Sequence, residues 1–285
     1  MRNKTLIKGF ALVALVPLFA ACSSDDDATV PNGEAQPVQI NITRATTDDN
    51  SSWADGDAVK LFITPISGAA TTETLNYNGS GWDKSTVIMT LPATVTTAYP
   101  SSATSTTGFN LPEDQSDESK LRQADYLTSN SQSVNDTNTP LNLTLAHRAC
   151  KVTVTISGYD GYTDTPTVAN ERFSSYLTIS YSDGGWTGTG SITNNITPFK
   201  KESSADGKHT YQAIVAPASS YEPFMTLTVN GKSRTVNCDQ TLVSGNAYTF
   251  TLTVSNNELV LTPTGSLPSS GWGNEDSETI ITATN

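Results

Sequence analysis

Histidine, cysteine and basic residues are scarce in this 285-residue chain, and each shortage closes a class of function. There are two histidines, His147 and His209, and three cysteines, and neither histidine belongs to a cluster of metal-ligating residues. The HExxH, GxSxG and glycine-rich phosphate-loop patterns are missing as well. Acidic pairs are plentiful among 28 Asp and Glu, but pairs drawn from so large a pool single out no general acid and base. His147 closes an apolar strand pattern and reads as a hydrogen-bonded structural residue. No enzyme, metal or cofactor is therefore expected. Lys and Arg total 16, the net charge is −12, and no basic patch interleaved with aromatics exists, which excludes nucleic acid as a partner.

Helical periodicity is also lacking; only LRQADYL (121–127) offers a short helical repeat. What the chain has instead is alternation. AVKLFITP places Val59, Leu61 and Ile63 on one face; STVIMTLP does so with Val87, Met89 and Leu91; LNLTLAH with Leu141, Leu143 and Leu145. KVTVTISG, YLTISY, YQAIVAPA, FMTLTVNGKSRTV and NAYTFTLTV repeat the pattern, and each predicts a half-buried antiparallel strand. Asn230-Gly231 between two such runs predicts a type I′ hairpin, since both central residues need positive φ. YNGSGW (77–82) and YSDGGW (181–186) echo each other 104 residues apart, the spacing of one small sandwich domain. The apolar parity switches between His147 and Cys150, which predicts a boundary there: one β-domain over 45–147 and a second over 148–263.

The one long apolar run lies at the start. MRNKTLIKGFALVALVPLFAAC has a basic beginning, an apolar stretch from Gly9 to Phe19 and small residues before Cys22, which reads as a signal peptide over 1–21. The junction resembles the lipobox of bacterial lipoproteins, making Cys22 the lipid-attachment site and membrane lipid its partner. The acidic SSDDD that follows resembles the surface-export signal of Bacteroidetes lipoproteins, an expectation of a surface-exposed outer-membrane location. The 264 residues after the signal carry 13 basic against 28 acidic side chains, a net charge of −15.

Several residues keep two readings on sequence alone. Arg44 is the only cation between Cys22 and Val59, in an acidic, Thr/Ser-rich stretch; it is either a solvated surface charge or the partner of a nearby carboxylate. Cys150 shares parity with Val152, and Cys238 with Val236, so both thiols are expected in the second core, bridged or free. The loops DGD (55–57) and DGYTD (160–164) offer oxygens to calcium, yet turn formation by Asp and Gly accounts for both. Trp82, Trp186 and Trp272 stand beside glycine, as sugar platforms or as caps on sandwich ends.

Together, ITRA followed by W-x-D-G-D-A-V-K-L (42–61), Y-P at 99–100, LPEDQS and ADYL (111–127), L-x-L-x-H-R-A-C-K-V-T-V (143–154) and Y-x-A-I-V-A-P (211–217) resemble the fimbrillin family of Bacteroidetes type V pili. The resemblance implies an all-β fold of two transthyretin-like antiparallel β-sandwich domains in series. It implies a pilus subunit exported as a lipoprotein and cut by an Arg-specific protease between Arg44 and Ala45. Residues 22–44 then form a lipidated acidic pro-segment whose strand, bearing Val38, Ile40 and Ile42, is removed, and other fimbrillin subunits are partners through strand addition. Residues 264–285 are a linker and candidate donor strand, with Ile280, Ile281 and Ala283 its apolar positions. A lipidated anchor, or a stand-alone adhesin for a glycan, host or bacterial surface ligand, is the alternative role.

Overall fold

Alternating apolar positions become strands throughout the computed structural model, which describes residues 33–44, 53–201, 208–256 and 258–267. The first half comprises β1 (Ala35–Arg44), β2 (Ala58–Pro65), β3 (Thr71–Asn76), β4 (Thr86–Thr90), β5 (Ala93–Tyr99), β6 (Gly108–Asn110), β7 (Leu127–Ser129), β8 (Gln132–Val134) and β9 (Leu141–His147), with the helix α1 (Glu118–Ala124) ahead of β7. The second half comprises β10 (Cys150–Asp160), β11 (Val168–Ser182), β12 (Gly185–Ile196), β13 (Phe199–Lys201), β14 (His209–Val215), β15 (Tyr221–Val229), β16 (Lys232–Cys238), β17 (Ala247–Ser255) and β18 (Leu259–Leu267).

Two cores result. Strands of the first half form a sheet in the order β3-β2-β5-β7-β9-β1-β4, with β8 beside β5. Its apolar face buries Val38, Val59, Leu61, Leu75, Val95 and Leu143 among others. The second half builds two five-stranded sheets, β13-β14-β10-β17-β18 and β12-β11-β15-β16 with β6 joining β11. Between them lie Val152, Val154, Phe173, Tyr221, Phe224 and Phe250. The sheets change membership between His147 and Cys150, where the parity of apolar residues switches.

The turn chemistry follows the sequence. Asn230 and Gly231 take φ of 47° and 77° between β15 and β16, as a type I′ hairpin requires. The echoed segments are both tight reversals with Tyr paired to Trp across the turn, Tyr77 to Trp82 and Tyr181 to Trp186, each with ring centroids 5.3 Å apart.

Two expectations are corrected. Pairing is not antiparallel throughout: β1 runs parallel to β9, and β10 parallel to β17. Alternation marks which face a residue occupies and says nothing about the direction of the neighbouring strand, and strands separated by long connections escape the hairpin constraint. The helix begins three residues before the repeat suggested, because Asp117 caps it by accepting from the Lys120 N–H at 2.9 Å; it ends at Ala124, ahead of β7.

The connection between β5 and β7 leaves the first core and fastens onto the second. β6 pairs with β11, and Leu121 and Ala124 of α1 pack with Ile179 and Ile214. Gln115, fully buried, behaves like an added strand residue: its Nε2 donates to Ile214 O at 3.0 Å and its Oε1 accepts from Ile214 N at 2.7 Å. Tyr126 stacks on Phe109 at 4.8 Å and meets the edge of Trp186 at 5.6 Å, so Trp186 seals this joint. Arg148 holds the other side, donating to the Thr128 hydroxyl at 2.7 Å with its guanidinium 5.3 Å from the Trp186 ring. Replacing Gln115 by Ala leaves a buried N–H and C=O unpaired; urea unfolding should show a loss of about 2–4 kcal/mol.

Candidate functional site

β1 changes partners midway along its length. Residues 35–39 run antiparallel to β4, and residues 40–44 run parallel to β9, so a single strand closes the gap between them. Its inward positions Val38, Ile40 and Ile42 are 0%, 6% and 7% exposed, while the intervening Asn41 and Thr43 side chains pair with Asn142 and Thr144 on the outer face. Arg44 continues the inward parity at the end of the strand.

There the alternation places a cation inside the protein. Arg44 Nη2 donates to Asp125 Oδ2 at 2.7 Å, with both side chains about 95% buried. The second oxygen, Asp125 Oδ1, lies 2.8 Å from His147 Nδ1; an ionised carboxylate only accepts, so this nitrogen carries the proton. The guanidinium is flanked by aromatic faces, 5.0 Å from the Trp53 ring centroid and 5.7 Å from that of Tyr99. Trp53 in turn meets Trp82 edge-on at 5.0 Å, which makes Trp82 part of the cap over this end of the first core.

A second ion pair braces the first. Tyr99 Oη donates to Asp57 Oδ1 at 2.9 Å, and Asp57 Oδ2 accepts from Arg122 at 2.6 Å and from the Ala54 N–H at 2.8 Å. Burial, reinforced by the Asp57 charge, pushes the Tyr99 phenol well above its ordinary range, which keeps it a neutral donor. Asp57 thus spends its oxygens on protein donors, and the DGD loop is a turn in this network. Among the described residues no cluster of three or more His, Cys, Asp or Glu could hold a metal ion.

The motif residues Arg44, Trp53, Asp57, Tyr99, Asp125 and His147 come from five separate segments and meet around one guanidinium. Of the two sequence readings of Arg44, the carboxylate partner is the one observed. Asp125, Trp53, Tyr99 and Arg122 were not identifiable as its companions: Asp125 is 81 residues away. The only available signal was their presence in short motifs. The His147–Asp125 pair has the form of a general-base dyad, but His147 is 5% exposed and closed to any substrate.

Cys150 and Cys238 both face the second core, as their parity indicated, and both are free. The Cys150 Sγ–H donates to Val243 O at 3.1 Å, and burial raises its pKa far above that of an ordinary thiol. The bridged reading is therefore corrected: each thiol is a core residue, on β10 in one sheet and on β16 in the facing sheet. Cys22, Ala45, Trp272, Ile280, Ile281 and Ala283 lie outside the described residues.

With this geometry in view, the fimbrillin-like family profile matches residues 43–266, most of the chain and all of the network. The chain belongs to the fimbrillin-like family. This fimbrillin-like chain is similar in fold to a candidate cell adhesion protein from Bacteroides ovatus ATCC 8483, at 17% identity and a TM-score of 0.58, covering 85% of this chain and 100% of that one. It is similar also to one from Bacteroides uniformis ATCC 8492, at 18% identity and a TM-score of 0.56, covering 82% and 98%. No curated protein sequence matches it. Membership implies a fimbrial role at the cell surface. No helix among the described residues is long and apolar enough to cross a membrane.

The geometry makes two expected outcomes measurable. Arg44→Ala strands a buried carboxylate and should destabilise the protein by about 3 kcal/mol or more in denaturant unfolding, whereas the Arg44→Ala/Asp125→Ala double substitution recovers part of that loss as a coupling of about 2 kcal/mol. In a Cys22→Ser protein, a thiol reagent should find no reactive cysteine in the native state and two after unfolding without reductant.

Proposed function

We propose that this fimbrillin-like protein is a structural and adhesive fimbrial subunit, exported as a lipoprotein on Cys22, matured by cleavage after Arg44 and assembled by strand exchange. Its two halves act as two sandwich domains of the transthyretin-like kind in series, with the boundary at His147–Cys150. Of the tail expected over 264–285, β18 takes in residues up to Leu267, and the remainder, bearing Ile280, Ile281 and Ala283, supplies the strand given to another subunit.

The observation that carries this reading is the construction of β1. Among the described residues it is the first strand, and the segment 45–52 alone joins it to the strands that follow. Three of its side chains fill the core between β4 and β9, so its departure opens an apolar groove flanked by unpaired backbone on both sides. A strand from another subunit restores both the backbone pairing and the apolar contacts. The sequence after it, ATTDDNSS (45–52), is polar and lacks apolar anchors, which suits entry into a protease cleft.

Burial of Arg44 adds a condition to maturation. A protease that reads arginine must take its side chain into a specificity pocket, and here the guanidinium is held by Asp125 and two rings. Cleavage then follows local opening of the end of β1 rather than simple collision. The alternative role, a lipidated anchor or a stand-alone adhesin, retains Cys22 and β1 and has no use for that opening.

Treatment of the lipidated protein with an Arg-specific protease should give a new N-terminus at Ala45 and an SDS-resistant ladder on an unboiled gel. Asp125→Asn should accelerate the cut, and Arg44→Ala should abolish both cut and ladder. A protein that stays intact with Cys22 acylated, or that is cut and remains monomeric, identifies the anchor or adhesin role instead.

A further inference from the structure

If β1 is exchanged as proposed above, it is also the template for what replaces it, and its last residue sets a requirement beyond apolar alternation. Cutting after Arg44 removes that arginine together with the strand. Asp125, 5% exposed while β1 is in place, remains, with Oδ1 against His147 and Oδ2 facing the place the guanidinium occupied. The other arginine of the network, Arg122, is committed to Asp57 at 2.6 Å. The Trp53 and Tyr99 rings still flank the vacated space, and Tyr99 is held in position by its bond to Asp57. A buried carboxylate between two aromatic faces is a site for a planar cation, and filling the groove with a strand that lacks one leaves Oδ2 desolvated without the donor it had.

The register fixes where that cation must stand. Ile40, Ile42 and Arg44 lie opposite Leu141, Leu143 and Leu145 of β9, with Val38 opposite Val87 of β4. We infer that the strand completing this groove carries apolar residues at three alternating positions and an arginine at the fourth, seated opposite Leu145, and that it belongs to a protein other than a second copy of this chain. A matured copy has lost its own residues 35–44 by the same cut, and its residues 268–285 contain no Lys or Arg and three acids, Glu275, Asp276 and Glu278. Aligning Ile281 and Ala283 with the groove brings Asn285 to the next inward position, which answers neither the charge nor the volume. The groove therefore selects against self-addition, and the chain is a point where one kind of subunit meets another.

The test severs β1 without relying on Arg44. A recognition sequence for an unrelated protease replaces part of residues 46–51 in the otherwise complete protein, and after cutting, labelled peptides compete for the groove in a fluorescence anisotropy assay. The probes are AQPVQINITR, copying residues 35–44, its Arg44→Gln and Arg44→Lys forms, and SETIITATN, copying residues 277–285. The arginine peptide is expected to bind about 30-fold or more tighter than the glutamine form, with lysine between them, and the tail peptide is expected to bind no better than the glutamine form. Asp125→Asn in the protein should erase the difference between arginine and glutamine. Equal binding of those two forms, discrimination that survives Asp125→Asn, or tail binding as tight as the arginine peptide would each overturn the inference while leaving strand exchange intact. Failure of AQPVQINITR itself to enter overturns the strand-exchange reading and this inference with it.

Discussion

The buried pair of Arg44 with Asp125 is the constraint around which the first half of the protein is arranged. Such pairs contribute little net stability, because the loss of hydration offsets the attraction between the charges; what they supply is selectivity among alternative arrangements. β1 shows which alternatives are at stake. A slip of one residue would turn Val38, Ile40 and Ile42 to solvent and is forbidden by hydrophobicity alone. A slip of two residues keeps an apolar face inward, and the hydrophobic pattern resists it only weakly. The cation at the end of the strand resolves that ambiguity, since only one register brings Arg44 to Asp125 and to the rings of Trp53 and Tyr99. Asn41 with Asn142 and Thr43 with Thr144 agree on the same register from the outer face.

That end of β1 also reaches the joint between the two cores. Asp125 is the residue at which α1 stops, its backbone N–H bonding back to Arg122 O, and Arg122 itself pairs with Asp57. The same helix presses Leu121 and Ala124 against Ile179 and Ile214 of the second half. Strand end, helix end and joint therefore share atoms, and a change at any one of them is felt by the others through at most two hydrogen bonds. Cores of this density have discrete arrangements rather than a continuous range, so loss of the arginine is felt as a change of state at Asp125 rather than a gradual loosening.

How much of this could be read from the chain depends on the range of the interaction. Faces were legible: Val59, Leu61 and Ile63, or Tyr248, Phe250, Leu252 and Val254, declare by alternation alone which side is buried, and all are buried. Local turns were legible for the same reason, as Asn230-Gly231 shows. The direction of β9 relative to β1, the change of partner within β1, and the excursion of β6 onto β11 were not, because each is decided by residues about 50 to 100 positions apart. Cys150 and Cys238 mark the limit closely: parity assigned both to one core, but whether two thiols bond depends on the separation of facing sheets, which parity does not encode. The site lay between these cases. Each of its residues sat in a recognisable short motif, while their convergence on Arg44 needed the fold.

If the chain is cut after Arg44 as proposed, this convergence bears on how a strand so firmly seated becomes a removable part. Three apolar side chains, a ladder on each side and a desolvated ion pair hold β1, and hydrolysis of the bond after Arg44 alters none of these contacts. What it alters is tethering. Before the cut, the connection of eight residues between β1 and Trp53 keeps the strand at an effective concentration of about millimolar or higher, so any excursion is followed by return. After the cut the same strand is a separate ligand, held only by its own affinity and lost by dilution once displaced. Beyond the local opening that admits the protease, the proposed covalent step needs no conformational work: it would convert a permanent element of the fold into an exchangeable one. The outcome passes to whichever strand, at its local concentration, best matches a groove with three apolar sites and one charge.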